Sequence, residues 1–251
     1  MPRPRLYKYF SDRKWAEEFF DGKLLFRSLA YFRDYEDNHV RSDDKEGTSV
    51  YRPNGGLIIN NLTQGTTFTL PYHAFESSAK QDEIFVYCLS RSLSEMLRQR
   101  FDAAVCVEVL DVAAFCTRIT AALPPAATFP GQSGKTKIGW RVDYYNEAEA
   151  ANPRWALPDM IATAKSKGYA WQEEFRLVFS LTKAFAFENV TPRLVHVNSK
   201  DAAKPDEHHK RLVCAQGLRD ICRLVEFNAR MIHGGIQDFP HADGPPKRAA
   251  V

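Results

Sequence analysis

The sequence predicts an α+β fold: a single domain built on a mixed, mostly antiparallel sheet flanked by short helices. Roughly seven segments have strand-like patterns and four or five are short and helix-like, and their order does not follow strict βαβ alternation. The chain has 251 residues, of which 44% are hydrophobic, so it is long enough to bury one sizeable core. We therefore predict one domain over 1–232 and a loose, turn-rich tail over 233–251.

The first part of the chain alternates between strand-like and helix-like patterns. Alternating aromatic residues predict a strand over 5–11. The spacing of Trp15 and Phe19 predicts a helix, for which Ser11 is the expected N-cap. A second strand, or a strand followed by a turn, is predicted over 23–32.

The remaining elements follow from runs of apolar residues between turn-forming residues. A hairpin is predicted over 55–72, and a continuous apolar run over 83–92 predicts a buried strand. Further strands are predicted over 103–110, 138–145 and 169–179, and helices over 93–101, 111–124, 157–168 and 217–232.

Composition places limits on the class of partner. The net charge of +3 is spread without a basic patch, so it permits a nucleic-acid partner but does not indicate one. The five cysteines lie far apart and read as reduced thiols, which predicts a cytoplasmic protein. No apolar run approaches about 20 residues, so no membrane partner is expected. The histidines lack metal-ligand spacing, and no metal is expected.

The stretch YAWQEEFRLVF contains the strongest candidate site. If it is a strand, Gln172, Glu174 and Arg176 project from one face. One interpretation is a cross-strand charge network, in which Arg176 pairs with an acid on the neighbouring strand and Glu174 meets Arg27 or Arg141. The other interpretation is that Glu174 faces a cleft, where it contacts a ligand ribose or acts as a base beside Gln172.

A second candidate cluster lies in the charged segment that follows the second predicted strand. Segment 33–49 runs for about 17 residues without apolar periodicity, which indicates either a functional or a mobile loop. Within and just before it, Arg27, Arg33 and Arg41 are interleaved with aromatic residues such as Tyr31. Arginine beside aromatic rings suits stacking and bidentate recognition of phosphate, although mixed charge is also typical of a solvated loop.

Several of these motifs together resemble a large bacterial family that is labelled a domain of unknown function, some members of which carry abortive-infection names. The motifs are LYKYFS, GKLLFRSL, the acidic loop, VYCLS and the late YAWQEEFRLV, and they span roughly residues 5–182 in the right order. The resemblance implies a defence or toxin role in bacteria.

The layout is also similar to that of ADP-ribosyltransferases, which bind NAD in the cleft of a split antiparallel sheet. This similarity implies that Glu174 is the catalytic glutamate, that Gln172 orients the ribose or the acceptor, and that NAD is the cofactor. Ser28 or Tyr31 would take the second-strand position. The chain departs from the pattern in its first strand, which presents Tyr7 and its neighbours where arginine or histidine is expected.

The resemblance assigns the NAD pyrophosphate to the arginines of the charged segment. Arg27, Arg33 and Arg41 are the candidates, and Tyr7 would lie against the cofactor. The function predicted first is therefore NAD-dependent ADP-ribosyl transfer, with a nucleotide-type small molecule as ligand and a protein or nucleic acid as the modified target.

Two alternatives stay open. The chain could be a non-catalytic sensing or interaction domain that binds a protein, nucleotide or nucleic acid through segment 33–49. It could also be a metal-dependent nuclease that uses four acids of the same segment, namely Glu36, Asp37, Asp43 and Glu46.

Overall fold

The computed structural model describes residues 4–34, 43–131, 137–149, 156–197, 208–225 and 227. Within these ranges the α-helices are α1 Arg13–Phe20, α2 Leu29–Asp34, α3 Glu95–Arg100, α4 Val112–Ala121 and α5 Pro158–Ala162. The first strands are β1 Leu6–Phe10, β2 Lys23–Ser28, β3 Thr48–Tyr51, β4 Leu57–Asn61, β5 Thr66–Leu70, β6 His73–Ser78, β7 Ile84–Ser90 and β8 Val105–Val109. The later strands are β9 Gly139–Arg141, β10 Asp143–Tyr145, β11 Ala164–Ser166, β12 Glu174–Ser180, β13 Thr191–His196, β14 Lys210–Cys214 and β15 Cys222–Val225.

The predicted α+β class is confirmed, and the main sheet is antiparallel throughout. Its strands follow the order β14-β2-β7-β1-β8-β15, and β12 and then β9 extend it from the other edge of β7. The predicted buried strand is β7, which lies at the centre and is mostly buried. Smaller sheets are formed by β13-β6-β3, by the predicted hairpin β4-β5, and by the parallel pair β10-β11.

The main sheet is split along one edge of β7. Strand β12 pairs with β7 over its whole length, so β2 and β1 must share the opposite edge. Strand β2 meets that edge at Phe85 and Val86, whereas β1 meets it only at Ser90. Residues 87–89 lie between the two, and Lys8 Nζ donates a hydrogen bond to the carbonyl oxygen of residue 88 at 2.7 Å. The two strands therefore diverge and leave a cleft between them.

Two apolar clusters fix the two faces of the sheet. One face packs against α1 and α4 through a cluster that includes Phe19, Phe26, Phe115, Leu177 and Phe179. The opposite face packs against α2 and α5 through a cluster that includes Leu29, Val86, Ile161 and Val178. Side chains alternate along a strand, so Glu174, Arg176 and Val178 project from the face of β12 opposite to Phe175, Leu177 and Phe179. That face is turned toward the second cluster, which contains Val178. This places Glu174 and Arg176 on the inner side of that layer.

Two predictions for the first part of the chain need correction. Helix α1 is capped by Asp12, whose carboxylate accepts a hydrogen bond from the Lys14 backbone N–H, and not by Ser11. The predicted strand over 23–32 ends at Ser28, because α2 follows at once and buries Leu29 and its neighbour. An apolar run this short fits both the helical and the strand periodicity of apolar residues, so tertiary packing decides which element forms.

The predictions around the candidate site are also partly wrong. The predicted helix over 157–168 ends at Ala162 and gives way to β11, after which residues 167–172 form a 3-10 helix. The predicted strand over 169–179 therefore begins only at Glu174. Glu173 has a left-handed backbone with φ of 42° and marks the turn into the strand.

The predicted helix over 217–232 is wrong for the part that the structure describes. Residues 222–225 form β15, which pairs antiparallel with β8. Pairing supplies hydrogen bonds to the open edge of β8, which a helix could not do. Residue 226 and residues 228–251, with the predicted tail over 233–251, lie outside the described residues. No helix within the described ranges is long and apolar enough to cross a membrane.

Gly22 allows the chain to turn tightly from α1 into β2, and this position tests the packing of the turn. Its φ is +84°, and an added Cβ would lie 2.4 Å from the carbonyl oxygen of Ala215. Gly65 in the β4-β5 turn also has positive φ, but no atom lies within 4 Å of its added Cβ.

We expect Gly22→Ala to lower the free energy of unfolding by about 3 kcal/mol, and Gly65→Ala by about 1 kcal/mol. Urea unfolding of both variants checks this, and equal losses would contradict the close approach at Gly22.

Candidate functional site

A cavity of about 360 Å³ lies in the split of the main sheet. Its wall is aromatic and comes from β1, α1, α2 and the end of α3, with Tyr7, Trp15, Tyr31 and Phe101 among the lining residues. Its floor is polar and is formed by four side chains that come from three parts of the chain, namely Glu46, Lys165, Gln172 and Glu174. An apolar wall with a few converging polar groups is the usual composition of a small-molecule site.

Arg176 holds the floor of the cavity from below. Its guanidinium forms a bidentate pair with Glu46, with Nη1–Oε1 and Nη2–Oε2 distances of 2.7 and 2.8 Å. Its Nε donates to Glu174 Oε1 at 2.6 Å, and its Nη1 also donates to the carbonyl oxygen of Ala162 at 2.9 Å. A fifth bond joins Nη2 to Glu174 Oε2 at 3.4 Å. All five donors of a 1% exposed side chain are therefore satisfied.

Lys165 is a second buried cation in the same cluster. Its Nζ donates to Gln172 Oε1 at 3.0 Å and to Glu174 Oε2 at 3.3 Å, and it lies 3.5 Å from Glu46 Oε2. Burial opposes the charge of Lys165, but the carboxylates of Glu174 and Glu46 outweigh burial and raise the pKa of the ammonium. Lys165 therefore stays charged and bridges the two carboxylates from the cavity side.

Glu174 is ionised although it is buried. Burial alone would raise the pKa of its carboxyl group, but Arg176 and then Lys165 outweigh this and hold the pKa well below its usual range. The backbone N–H of Glu174 donates to the hydroxyl of Tyr144 at 2.8 Å, and Ser90 Oγ donates to the carbonyl oxygen of Gln172 at 2.8 Å. These bonds fix the start of β12 and hold the carboxylate in one place at the cavity floor.

Asp43 adds a titratable group behind the floor. It is 2% exposed, and its carboxylate accepts a hydrogen bond from the Lys45 backbone N–H at 3.0 Å. Burial and then the nearby Glu46 carboxylate raise the pKa of Asp43 to about 7, although Lys165 partly opposes the shift. The net charge of the cluster therefore changes near neutral pH.

Two further cations lie at the cavity wall, above the floor. The guanidinium of Arg27 stacks over the ring of Tyr31, with Cζ 4.4 Å from the ring centroid. Lys8 Nζ lies 4.3 Å from the centroid of the Tyr87 ring and reaches into the split. Arginine stacked on an aromatic ring keeps its donors free in the plane of the guanidinium, which suits an anionic ligand.

The cavity brings together five of the predicted site residues. Glu174 and Gln172 form part of the floor, and Tyr7, Arg27 and Tyr31 line the wall. Gln172 reaches the floor from the end of the 3-10 helix and Tyr31 reaches the wall from α2, so neither does so from the strand that was predicted.

The structure does not bring the other predicted residues to the cavity. Ser28 is fully buried, and its hydroxyl accepts a hydrogen bond from the His209 backbone N–H. Arg33 bonds Asp34 through Nε at 2.6 Å and also donates to Gln81, so its guanidinium is committed away from the site. Arg41 lies outside the described residues.

The two interpretations of the Gln-Glu-Arg row turn out not to exclude each other. The charge network is present, but its partners differ from those predicted, because Arg176 pairs with Glu46 in the turn before β3 and not with a neighbouring strand. Glu174 meets Lys165 instead of Arg27 or Arg141. At the same time Glu174 lines the cavity, as the cleft interpretation requires.

The nuclease alternative needs a metal centre built from four acids of segment 33–49. No group of three or more histidine, cysteine, aspartate or glutamate side chains in the described part of the chain is placed to hold a metal ion. Both oxygens of Glu46 bond Arg176, while Glu36 and Asp37 lie outside the described residues. Asp43 and Glu46 are therefore part of the buried cluster, and the nuclease alternative stays a hypothesis.

Comparisons with known proteins add no assignment. No family model, curated protein or solved structure matches the chain. The resemblance to the bacterial family and to ADP-ribosyltransferases stays a prediction that rests on the quoted motifs.

Removing one partner from the buried cluster should be costly. Glu46→Gln leaves the guanidinium of Arg176 without its bidentate partner in a buried setting, and we expect the free energy of unfolding to fall by about 3–5 kcal/mol. The control is Lys80→Gln, which breaks an exposed pair with Glu83 and should cost less than about 1 kcal/mol. Denaturant unfolding measures both, and a loss at Glu46 no larger than at Lys80 would show that the cluster does not hold the fold.

Asp43 should make the stability of the protein depend on pH. Because its folded pKa is about 7 and its unfolded pKa is near 4, the folded state binds the extra proton between these values. The stabilisation that this proton uptake gives the folded state is therefore fully present below about pH 4. It is lost as pH rises to 7, which lowers the free energy of unfolding by about 4 kcal/mol. Asp43→Asn keeps the hydrogen-bond acceptor but cannot ionise. We expect the variant to gain stability over the wild type as pH rises from 4 to 8, and a constant difference in unfolding free energy would contradict this.

Proposed function

We propose that the chain is an ADP-ribosyltransferase-like enzyme that binds NAD in the cavity of the split sheet. The observation that carries this proposal is the ionised carboxylate of Glu174, fixed at the floor of a cavity that opens where β1 and β2 diverge. Gln172 lies beside it, and aromatic rings form the wall. A defence or toxin role in bacteria follows from the motif resemblance.

The cavity offers a partner for each chemical part of NAD. The rings of Tyr7, Trp15 and Tyr31 provide stacking surfaces for a base or a nicotinamide ring. The carboxylate of Glu174 is an acceptor for ribose hydroxyls, a pairing that recurs in nucleotide sites. Arg27 supplies a cation for the pyrophosphate, while Arg33 is already paired with Asp34.

The chemistry assigned to the floor is electrostatic. The bond between the nicotinamide nitrogen and C1′ of the ribose breaks, and its electron pair leaves with the nicotinamide. The acceptor forms the new bond to C1′ and releases its proton to solvent. A fixed negative charge beside the ribose stabilises the oxocarbenium-like transition state, and this is the role assigned to Glu174. The amide of Gln172 orients the ribose or the acceptor.

A second candidate function is nucleotide sensing without turnover. It is favoured by the two cations that offset the charge of Glu174, because Lys165 and Arg176 both bond its oxygens. A neutralised carboxylate binds a hydroxyl well but stabilises a developing positive charge less. The ligand surface in this case is the same cavity, which Glu46 of segment 33–49 lines together with Glu174.

The release of nicotinamide from NAD distinguishes the two functions. We expect Glu174→Gln to lower the rate by about 100-fold or more, which is typical for the loss of one group that stabilises transition-state charge. The matched control is Glu76→Gln, which removes a buried, ion-paired carboxylate outside the cavity lining and leaves the Glu174 carboxylate in place. We expect that variant to keep at least about a tenth of the wild-type rate, which allows for less than 1.4 kcal/mol of indirect loss.

Both variants are assayed at a temperature at which circular dichroism shows them folded. Equal losses of rate would assign Glu174 a structural role and remove it from the mechanism. NAD binding without nicotinamide release by the wild-type protein would favour the sensing function over catalysis.

A further inference from the structure

Two cations lie directly opposite each other on neighbouring strands, and one of them, Arg27, lines the cavity. In the register of β2 and β14, Arg27 is the cross-strand partner of Lys210. Side chains of such a pair project from the same face about 5 Å apart at Cβ, and like charges in this position destabilise a sheet. Among the described residues neither side chain forms an ion pair. The pair therefore concentrates positive charge on one face of the sheet, beside the cavity wall.

An ordered platform lies next to this pair. The ring of Tyr31 lies under the guanidinium of Arg27, and the imidazole of His208 meets the same ring edge-on, with centroids 5.9 Å apart. His208 lies two residues before Lys210, at the start of the segment that pairs with β2. Its position is fixed by a contact of 3.0 Å between Nε2 and Asp34 Oδ2.

Among the described residues, Asp34 is the acid that contacts this platform, and its carboxylate is already bonded to Arg33 and His208. Asp34 receives two bonds from Arg33, from Nε at 2.6 Å and from Nη2 at 2.8 Å, in addition to the contact with His208. Arg33 and then His208 hold the pKa of Asp34 below its usual range, although burial opposes the shift. Asp34 therefore stabilises the platform and does not neutralise Arg27 or Lys210.

We propose that Arg27 and Lys210 form a phosphate subsite beside the cavity wall, with Tyr31 as its platform and His208 at its edge. Arg27 lines the cavity, so an anion held by this pair would lie between the cavity and Lys210, the first residue of β14. The chemical class that fits two cations beside an aromatic-walled cavity is a diphosphate or nucleoside diphosphate, because guanidinium and ammonium groups each donate to phosphate oxygens. Identifying this anion with the NAD pyrophosphate rests on the proposed function.

The subsite differs from the arrangement that the sequence indicated. The arginines predicted to hold the pyrophosphate, Arg27, Arg33 and Arg41, lie within or just before one charged segment, but Arg33 bonds Asp34 and Gln81 instead. The second cation comes from β14, more than 180 residues after Arg27, and only strand pairing brings the two together. Lys210 therefore had no local signal in the sequence.

Calorimetric titration with inorganic pyrophosphate tests the subsite without NAD. We expect the wild-type protein to bind pyrophosphate. We expect Arg27→Gln and Lys210→Gln each to raise the dissociation constant by about tenfold. The control is Arg193→Gln, which removes one exposed charge from β13 in a different sheet and should change the constant less than about twofold. Thermal unfolding confirms that all three variants are folded.

Each outcome decides the proposal. No pyrophosphate binding by the wild-type protein, or equal weakening by Arg193→Gln, overturns the subsite, since the second result would mean that only net charge matters. Selective weakening by the two site variants supports it. A parallel titration with NAD separates the subsite from the proposed function. Pyrophosphate binding without NAD binding supports the subsite and rejects the proposed function. NAD binding without pyrophosphate binding supports the proposed function and rejects the subsite.

Discussion

The buried guanidinium of Arg176 is the interaction on which the site depends. It joins β12 to the turn before β3 through Glu46 and to the end of α5 through a carbonyl oxygen. Two buried cations face Glu46 and Glu174, so the desolvation of each charge is offset by a partner within hydrogen-bond distance. A network in which every hydrogen-bonding group has a partner fixes one arrangement of side chains. The side chains of the cavity floor belong to this network and are therefore held rigidly.

The split in the sheet turns this rigid floor into a site. If β1 and β2 paired with β7 side by side without a gap, the end of β7 would be covered and Glu174 would be a purely internal residue. Because the two strands diverge, the cavity opens beside Cys88 and Ser90, directly across from the start of β12. Rigid strands on both sides then hold the polar floor and the cations at the wall at fixed separations.

The sequence predicts elements with strong local patterns and misses features that depend on distant pairing. The buried strand β7 and the hairpin β4-β5 are both confirmed, because each depends on neighbouring residues. Glu46 and Arg176 lie 130 positions apart, and nothing local indicates that they pair. Lys165 was missed for a related reason, since the short α5 was predicted to continue through it. Two residues of the Gln-Glu-Arg row, Gln172 and Glu174, line the cavity, although only Glu174 and Arg176 lie on the strand.

We propose the cavity in the split sheet as a nucleotide site with Glu174 at its floor. The decisive measurement is a calorimetric titration of the wild-type protein with NAD. We expect saturable one-to-one binding with a dissociation constant between about 1 μM and 1 mM, the range common for enzyme substrates. The absence of binding at several times the upper limit would contradict the assignment of NAD and would leave the buried cluster as a purely structural feature of the fold.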